Sequence, residues 1–139
     1  MRPALILTSA LLSFHALAND PPPSSVVSQA DATHEKQDVY EFFTYFSGQT
    51  AGADDVLTGV AVIKPGEQIH PPHTHAEEEY LMVIEGSGTW SLKGDTFAAS
   101  AGDILYAAPW DSHGIENTGD TPLKFVVFKW RSKGLPESK

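Results

Sequence analysis

The sequence contains no cysteine, which excludes disulfide bonds, thiolate metal sites and cysteine nucleophiles. Basic residues are also scarce: there are 9 Lys and Arg against 18 Asp and Glu, and the formal net charge is −9. An acidic surface without a cluster of Lys or Arg repels phosphate backbones. We therefore expect no nucleic-acid binding.

Long apolar runs are confined to the N-terminus. Arg2 gives a positive start, residues 4–12 are almost wholly apolar, and residues 16–18 read Ala-Leu-Ala. This order is typical of a secretory signal peptide that is cleaved after Ala18. The apolar stretch is too short to span a bilayer comfortably. We expect a periplasmic or secreted protein that keeps no stable membrane anchor after cleavage.

No segment has a convincing helical period, whereas β-branched and aromatic runs from Val39 onward alternate with turn residues. Lys93-Gly94 predicts a hairpin turn. Turns recur at roughly the 8–12-residue spacing of all-β sandwiches and barrels, and the length suits one domain. The predicted organisation is a signal peptide (1–18), a flexible Pro-rich linker (19–37), a β-barrel (38–132) and a C-terminal tail (133–139). His34 would then be a solvated linker residue and not a ligand.

Residues 70–79 contain three of the six histidines. His73, His75 and Glu79 are spaced by two and then four residues, so on an extended strand all three side chains would project from one face. Two imidazoles and a carboxylate that converge on one point suit a divalent metal ion.

A second polar cluster lies about 40 residues downstream, where His113 follows a Pro-containing loop. Together the two clusters resemble the paired motifs of the cupin superfamily, here as a small single-domain (monocupin) exported protein. Asp111 stands where the second motif has glycine, and its loop is one residue shorter than the consensus. The matching positions are Gly66, His73, His75, Glu79 and Gly86 in the first motif, and Gly102, Pro109, His113 and Asn117 in the second.

The resemblance implies a double-stranded β-helix (jelly-roll) barrel with a metal held by His73, His75, Glu79 and His113. These ligands suit Fe, Mn, Ni, Cu or Zn and select none of them. The first hypothesis for function is a mononuclear-metal oxygenase-type enzyme acting on a small organic molecule, with Glu79 or His70 as the catalytic base. The alternatives are a non-catalytic periplasmic module that binds a small ligand or metal, and a cupin isomerase or decarboxylase.

Several neighbours of the motifs allow two interpretations each. His70 is either a proton acceptor at the barrel mouth or a loop residue without a role, and Glu77 and Glu78 are either rim acids or solvated loop acids. Tyr106 and Trp110 either line the pocket or pack in the core. The remaining wall of the cavity is predicted to be apolar, from Leu81, Val83 and either Phe125 or Val127.

The segment 79–84 is apolar on both faces, so both faces should be covered. Glu79, Leu81 and Val83 share the ligand face, and Tyr80, Met82 and Ile84 the other. The second face needs another sheet or a subunit partner, for which the aromatic segment 40–46 is a candidate cover. Alternatively, that segment is ordinary core. A homodimer is the expected assembly.

Overall fold

The computed structural model describes residues 21–134, and the predicted signal peptide lies outside them. Within this range the chain forms nine β-strands and no helix, so no described helix is long and apolar enough to cross a membrane. The strands are β1 (Thr33–Lys36), β2 (Tyr40–Gly48), β3 (Ala53–Ile63), β4 (Glu78–Glu85), β5 (Ser87–Leu92), β6 (Asp95–Ser100), β7 (Ile104–Ala107), β8 (His113–Glu116) and β9 (Leu123–Ser132).

The strands form two antiparallel sheets. Six strands pair in the order β1-β2-β3-β9-β4-β7, and three in the order β6-β5-β8. Apolar side chains from both sheets form one core, which lies between them. The predicted all-β jelly-roll fold is therefore confirmed. The core side chains are Ala61, Ile63, Leu81, Val83, Trp90, Ala99, Leu105, Ile115, Leu123, Phe125 and Val127.

The alternation of β4 follows the sequence pattern. Glu79, Leu81 and Val83 are buried, whereas Tyr80, Met82 and Ile84 are exposed. Successive side chains on a strand point to opposite faces, so a single register places the carboxylate and two apolar residues inside the barrel. The predicted assignment of faces is confirmed.

The hairpin predicted at Lys93-Gly94 joins β5 to β6. Both residues have positive φ, 56° and 91°, which is the conformation of a type I′ turn. Gly86, between β4 and β5, is also required by the backbone. Its φ is +81°, and a Cβ there would lie 2.4 Å from the carbonyl oxygen of Pro122.

The ordered domain begins earlier than the predicted boundary at residue 38. Thr33–Lys36 pairs with β2 as an edge strand, and His34 stacks on Phe43 with the ring centroids 4.3 Å apart. All four side chains of β1 are exposed, so no apolar alternation distinguished this strand from a linker. At the other end, β9 stops at Ser132, and residues 135–139 of the predicted tail lie outside the described residues.

The aromatic segment 40–46 does not cover the second face of β4. It forms most of β2, which lies in the same sheet as β4 with β3 and β9 between them. Tyr40 and Phe42 instead pack against the core. Within residues 21–134, the outer face of β4 stays exposed.

Candidate metal centre

The two histidine clusters are joined by backbone hydrogen bonds. His73 and His113 form an isolated antiparallel bridge in which each N–H donates to the other's carbonyl at 3.0 Å. The N–H of Trp110 donates to the carbonyl of His75 at 2.8 Å. Of the predicted ligands in the first motif, only Glu79 lies on β4, whereas His73 and His75 belong to the irregular segment before it. His73 and His75 are therefore positioned by backbone hydrogen bonds to the second motif. They do not lie on the same strand as Glu79.

The three imidazoles converge on one point. One nitrogen from each of His73, His75 and His113 lies within 4.8 Å of the others, so this group could hold a metal ion. His75 donates from Nδ1 to the carbonyl of Glu77 at 3.1 Å, and His113 from Nδ1 to that of Asp111 at 2.9 Å. In neutral rings these bonds leave both Nε2 atoms unprotonated, each with a lone pair available to a metal.

One nitrogen on each of the three rings lacks a hydrogen-bond partner within the described chain. His73 Nδ1, His75 Nε2 and His113 Nε2 are buried and make no hydrogen bond to any residue in 21–134. Buried polar atoms without partners are costly. One unpartnered buried nitrogen on each of three neighbouring rings fits a bound cation.

The carboxylate of Glu79 faces the same point. Its Oε2 lies 3.3 Å from Nε2 of His75, and its Oε1 lies 3.2 Å from Nε2 of His113. Neither contact is aligned as a hydrogen bond, because both Nε2 atoms still lack such a partner. The carboxylate of Glu79 therefore borders the group that the three imidazoles form.

The electrostatics favour a neutral His73 and an ionised Glu79, which are the forms in which these two residues bind a metal. Burial and the neighbouring His70, His113 and His75 lower the pKa of His73 to about 4, so its ring is neutral near pH 7. Burial alone would raise the pKa of Glu79. Its contacts with His113 and His75 outweigh burial and lower that pKa to about 2.

A cavity of about 240 Å³ leads from the surface to this site. Its walls are mainly apolar and include Leu81, Phe125 and Val127, as the sequence predicted, whereas Val83 lies in the core. Exposed side chains, among them His70, mark the open end, and buried Glu79 marks the inner end. A small molecule can therefore reach the candidate metal centre.

Comparison with known sequences agrees with this geometry. The family profile described as "Cupin domain" matches residues 59–129, just over half of the chain. The chain belongs to the cupin family. Dimethylsulfoniopropionate lyase DddW of Ruegeria pomeroyi is 30% identical to this cupin over 123 residues, which cover 85% of the chain and 80% of the lyase.

Two further comparisons indicate the breadth of the family. Gentisate 1,2-dioxygenase of a Streptomyces species is 29% identical over 82 residues, which are 58% of this cupin but only 23% of the dioxygenase. The crystal structure of a predicted oxalate decarboxylase from Thermotoga maritima superimposes with a TM-score of 0.65 at 24% identity, covering 77% of this chain and 99% of that one. This last likeness concerns the fold alone.

The second motif of this cupin departs from the consensus in its loop, and the structure accommodates the change. The residue with positive φ is Trp110, at 68°, one position before the Asp111 that replaces glycine. The shorter loop still delivers the carbonyl of Asp111 to Nδ1 of His113. His113 therefore still joins the group of imidazoles that could hold a metal.

The neighbouring residues separate into inner and outer groups. His70 lines the cavity with its ring centroid 4.1 Å from that of His73, and Oε2 of Glu77 lies 3.2 Å from Nδ1 of His75. Tyr106 neither lines this cavity nor packs in the core: it is exposed on the outer face and donates to Glu78 at 3.1 Å. Trp110 is likewise absent from the cavity wall.

Two neighbours of the candidate metal centre could not be identified from the sequence. Lys129 lines the cavity, although nothing but its parity on β9 marks it as inward-facing. The contact of Glu77 with His75 depends on the bend before β4, which the motif does not specify.

Proposed function

We propose that this protein is a mononuclear-metal enzyme of the oxygenase type that acts on a small organic molecule. His73, His75, Glu79 and His113 would hold the ion. The observation that carries the proposal is the convergence of three imidazole nitrogens within 4.8 Å, one of them on His73, which together with Glu79 lines an accessible and mainly apolar cavity. The dioxygenase among the relatives supports the choice of reaction class.

Different residues of the chain would have different roles in the reaction. An Fe, Mn, Ni, Cu or Zn ion supplies Lewis acidity and lowers the pKa of bound water. The carbonyls of Glu77 and Asp111 fix the tautomers of His75 and His113. Apolar walls limit water around the substrate. His70, exposed at the open end beside His73, is placed to accept a proton from a substrate, as is Glu79 at the inner end.

A lyase reaction is the second candidate. The lyase from Ruegeria pomeroyi matches 85% of this chain, a larger share than the gentisate dioxygenase does. Proton abstraction followed by loss of a leaving group needs the same base and the same cavity, but no oxygen. Isomerisation and decarboxylation, and a non-catalytic binding role, remain the other outcomes of the test.

Elemental analysis of protein purified without added metal tests the site first. We expect one transition-metal ion per chain in the parent and its loss in His73→Ala and in the triple His73/His75/His113 alanine variant. His34→Ala is the matched control, because His34 lies on β1 and pairs with Glu41. Equal metal content in the parent and the triple variant would contradict the proposal.

Turnover then separates the reaction classes. The metal-loaded protein is assayed for oxygen uptake with gentisate and for product formation from dimethylsulfoniopropionate. Oxygen uptake that His73→Ala abolishes supports the oxygenase. Product without oxygen uptake supports the lyase. Tight retention of a small ligand without any product indicates the non-catalytic module.

We propose export and a homodimer as well. Residues 1–18 predict the export, and sequencing from the N-terminus of protein recovered outside the cytoplasm should begin at Asn19. Cytoplasmic protein that still begins at Met1 would contradict it. The exposed apolar outer face of β4, β7 and β9 supports the homodimer.

A further inference from the structure

Lys129 is a cationic side chain on the inner face of the barrel. On β9 it follows Phe125 and Val127 at the two-residue spacing of one strand face, and all three line the cavity. Its backbone partner on β4 is Glu79. Directly paired residues share a face, so Lys129 and the candidate metal ligand project into the same interior.

Lys129 has no carboxylate partner within residues 21–134. The salt bridges of lysine there belong to Lys36, Lys93 and Lys124. Glu79, its neighbour in register, contacts His75 and His113 instead. The ammonium group is therefore a cationic group of the cavity wall that forms no ion pair with any residue in 21–134.

The other acid of the cavity is already engaged. Glu35 lies at the exposed rim, where its Oε1 accepts hydrogen bonds from Tyr40 at 2.7 Å and from Gln37 at 3.0 Å. A lysine ammonium that is partly removed from water beside apolar walls gains most from an anion. This local positive charge is notable in a chain of net charge −9.

We propose that Lys129 binds the carboxylate of the substrate, so that the site selects small organic acids. The inference rests on the proposed function, because it assumes that this cavity holds the substrate. A ligand whose carboxylate pairs with Lys129 on β9 presents its remaining groups toward the imidazoles and Glu79. The cavity, at about 240 Å³, lies below the ~300–1,000 Å³ of drug-sized sites, so the acid is small.

Two pairs of probes test this assignment on the metal-loaded full chain. Salicylate is compared with salicylamide, and propionate with propionamide, by isothermal titration calorimetry. The parent should bind each carboxylate more tightly than its neutral amide. Lys129→Met should weaken carboxylate binding by about 10- to 100-fold, the range for loss of a hydrogen bond to a charged group, and leave amide binding unchanged. Lys129→Arg should restore part of the preference.

The matched control is Lys124→Met. Lys124 lies on the same strand but has the opposite parity, and it pairs with Glu85 at 3.6 Å. This variant should keep the carboxylate preference of the parent. Metal content is measured for every variant, so loss of the metal centre is recognised separately from loss of anion selection.

Three outcomes would overturn the assignment: no carboxylate binds the parent, carboxylate and amide bind equally, or Lys129→Met retains the preference with its metal in place. Failure of the proposed function looks different. In that case the parent lacks metal or turnover, whereas the Lys129-dependent preference is read from binding alone.

Discussion

Glu79 is held between two imidazoles, and its protonation depends on them. It is 8% exposed, and His113 is 1% exposed. Burial lowers the pKa of His113, but the contact with Glu79 and the carbonyl of Asp111 outweigh burial and raise that pKa above its ordinary value. In the metal-free protein the two groups therefore form a charged pair.

The Glu79–His113 pair should stabilise the folded protein only within a limited pH range. The pKa of Glu79 is lowered to about 2 from 4.5, so its contribution is complete above pH 4.5 and is lost as the pH falls toward 2. The pKa of His113 is raised from 6.5, so its contribution is complete below pH 6.5 and is lost as the pH rises through the folded value. The stabilisation from the pair should be largest between pH 4.5 and 6.5.

The measurement is urea unfolding of the parent and Glu79→Gln in the presence of a chelator, across pH 3 to 9. The excess free energy of unfolding of the parent should pass through a maximum in that window and decline on both sides. Subtracting the variant removes the general acid unfolding of the protein. An excess that does not vary with pH would contradict the assignment of the pair.

At the residue scale, the candidate metal ligands could be predicted from the sequence, but the other residues around them could not. His73, His75, Glu79 and His113 occupy motif positions, and the structure brings all four together. Lys129 belongs to no motif, and its inward direction becomes informative only once the cavity is known. The proximity of Tyr106 to the second motif suggests either a pocket wall or core packing, but strand parity directs its side chain to the outer face.

At the scale of elements, Asn117 fixes the chain just after β8. It is fully buried, and its Nδ2 donates to the carbonyls of Ile63 and Thr121, both at 2.9 Å. Its Oδ1 accepts from the N–H of Gly119 at 3.0 Å. All three side-chain hydrogen bonds of Asn117 are made to backbone groups. This motif residue therefore connects β8 to the end of β3 and to the following turn.

Replacing Asn117 by Ala should destabilise the fold without removing a ligand. Three backbone groups would lose their partner, and a buried group left unpaired costs about 1–3 kcal/mol. We expect a loss of at least about 2 kcal/mol in urea unfolding with chelator present. Asp120→Ala, an exposed change in the same loop, should stay within about 0.5 kcal/mol. Equal stability of the two variants would refute this role.

A strand could be predicted where burial of one face makes apolar and polar residues alternate, and a turn where its backbone conformation requires particular residues. β4 shows the first case, and the hairpin between β5 and β6 the second. β1 was missed because its four side chains are exposed and it pairs on one edge only. The two-residue spacing of His73 and His75 suits an extended strand, but spacing alone cannot distinguish a strand from a loop held by backbone bridges.

At the scale of the whole molecule, one side of the six-stranded sheet is an apolar surface, which we call the outer patch. Cross-strand pairing makes it continuous, because Tyr80 lies between Tyr106 and Phe128, and Met82 is opposite Ile104. The aromatic rings of Tyr80 and Tyr106 are 4.8 Å apart. The exposed members are Tyr80, Met82, Ile84, Ile104, Tyr106 and Phe128.

The area of the outer patch fits a second copy of the chain. Aromatic side chains bury about 150–250 Å² each when covered, and the three aromatic members are about two-fifths exposed, so they alone leave roughly 200–300 Å² of surface, to which the three aliphatic members add. A contiguous apolar patch of several side chains is large for a monomer and marks an interaction site. A twofold axis through the patch would bury it against itself.

Ile104→Glu tests the dimer, because Ile104 is 61% exposed on the edge strand β7 and its replacement leaves the core intact. The parent should sediment at twice the mass of the chain, and the variant at the mass of one chain, since a buried unpaired carboxylate in each copy opposes association. Val26→Glu, at a residue that is 96% exposed outside the strands, adds the same charge and should remain dimeric. Unchanged metal content would establish that Ile104→Glu is folded. A monomeric parent, or a dimeric Ile104→Glu, would show that the outer patch has another use.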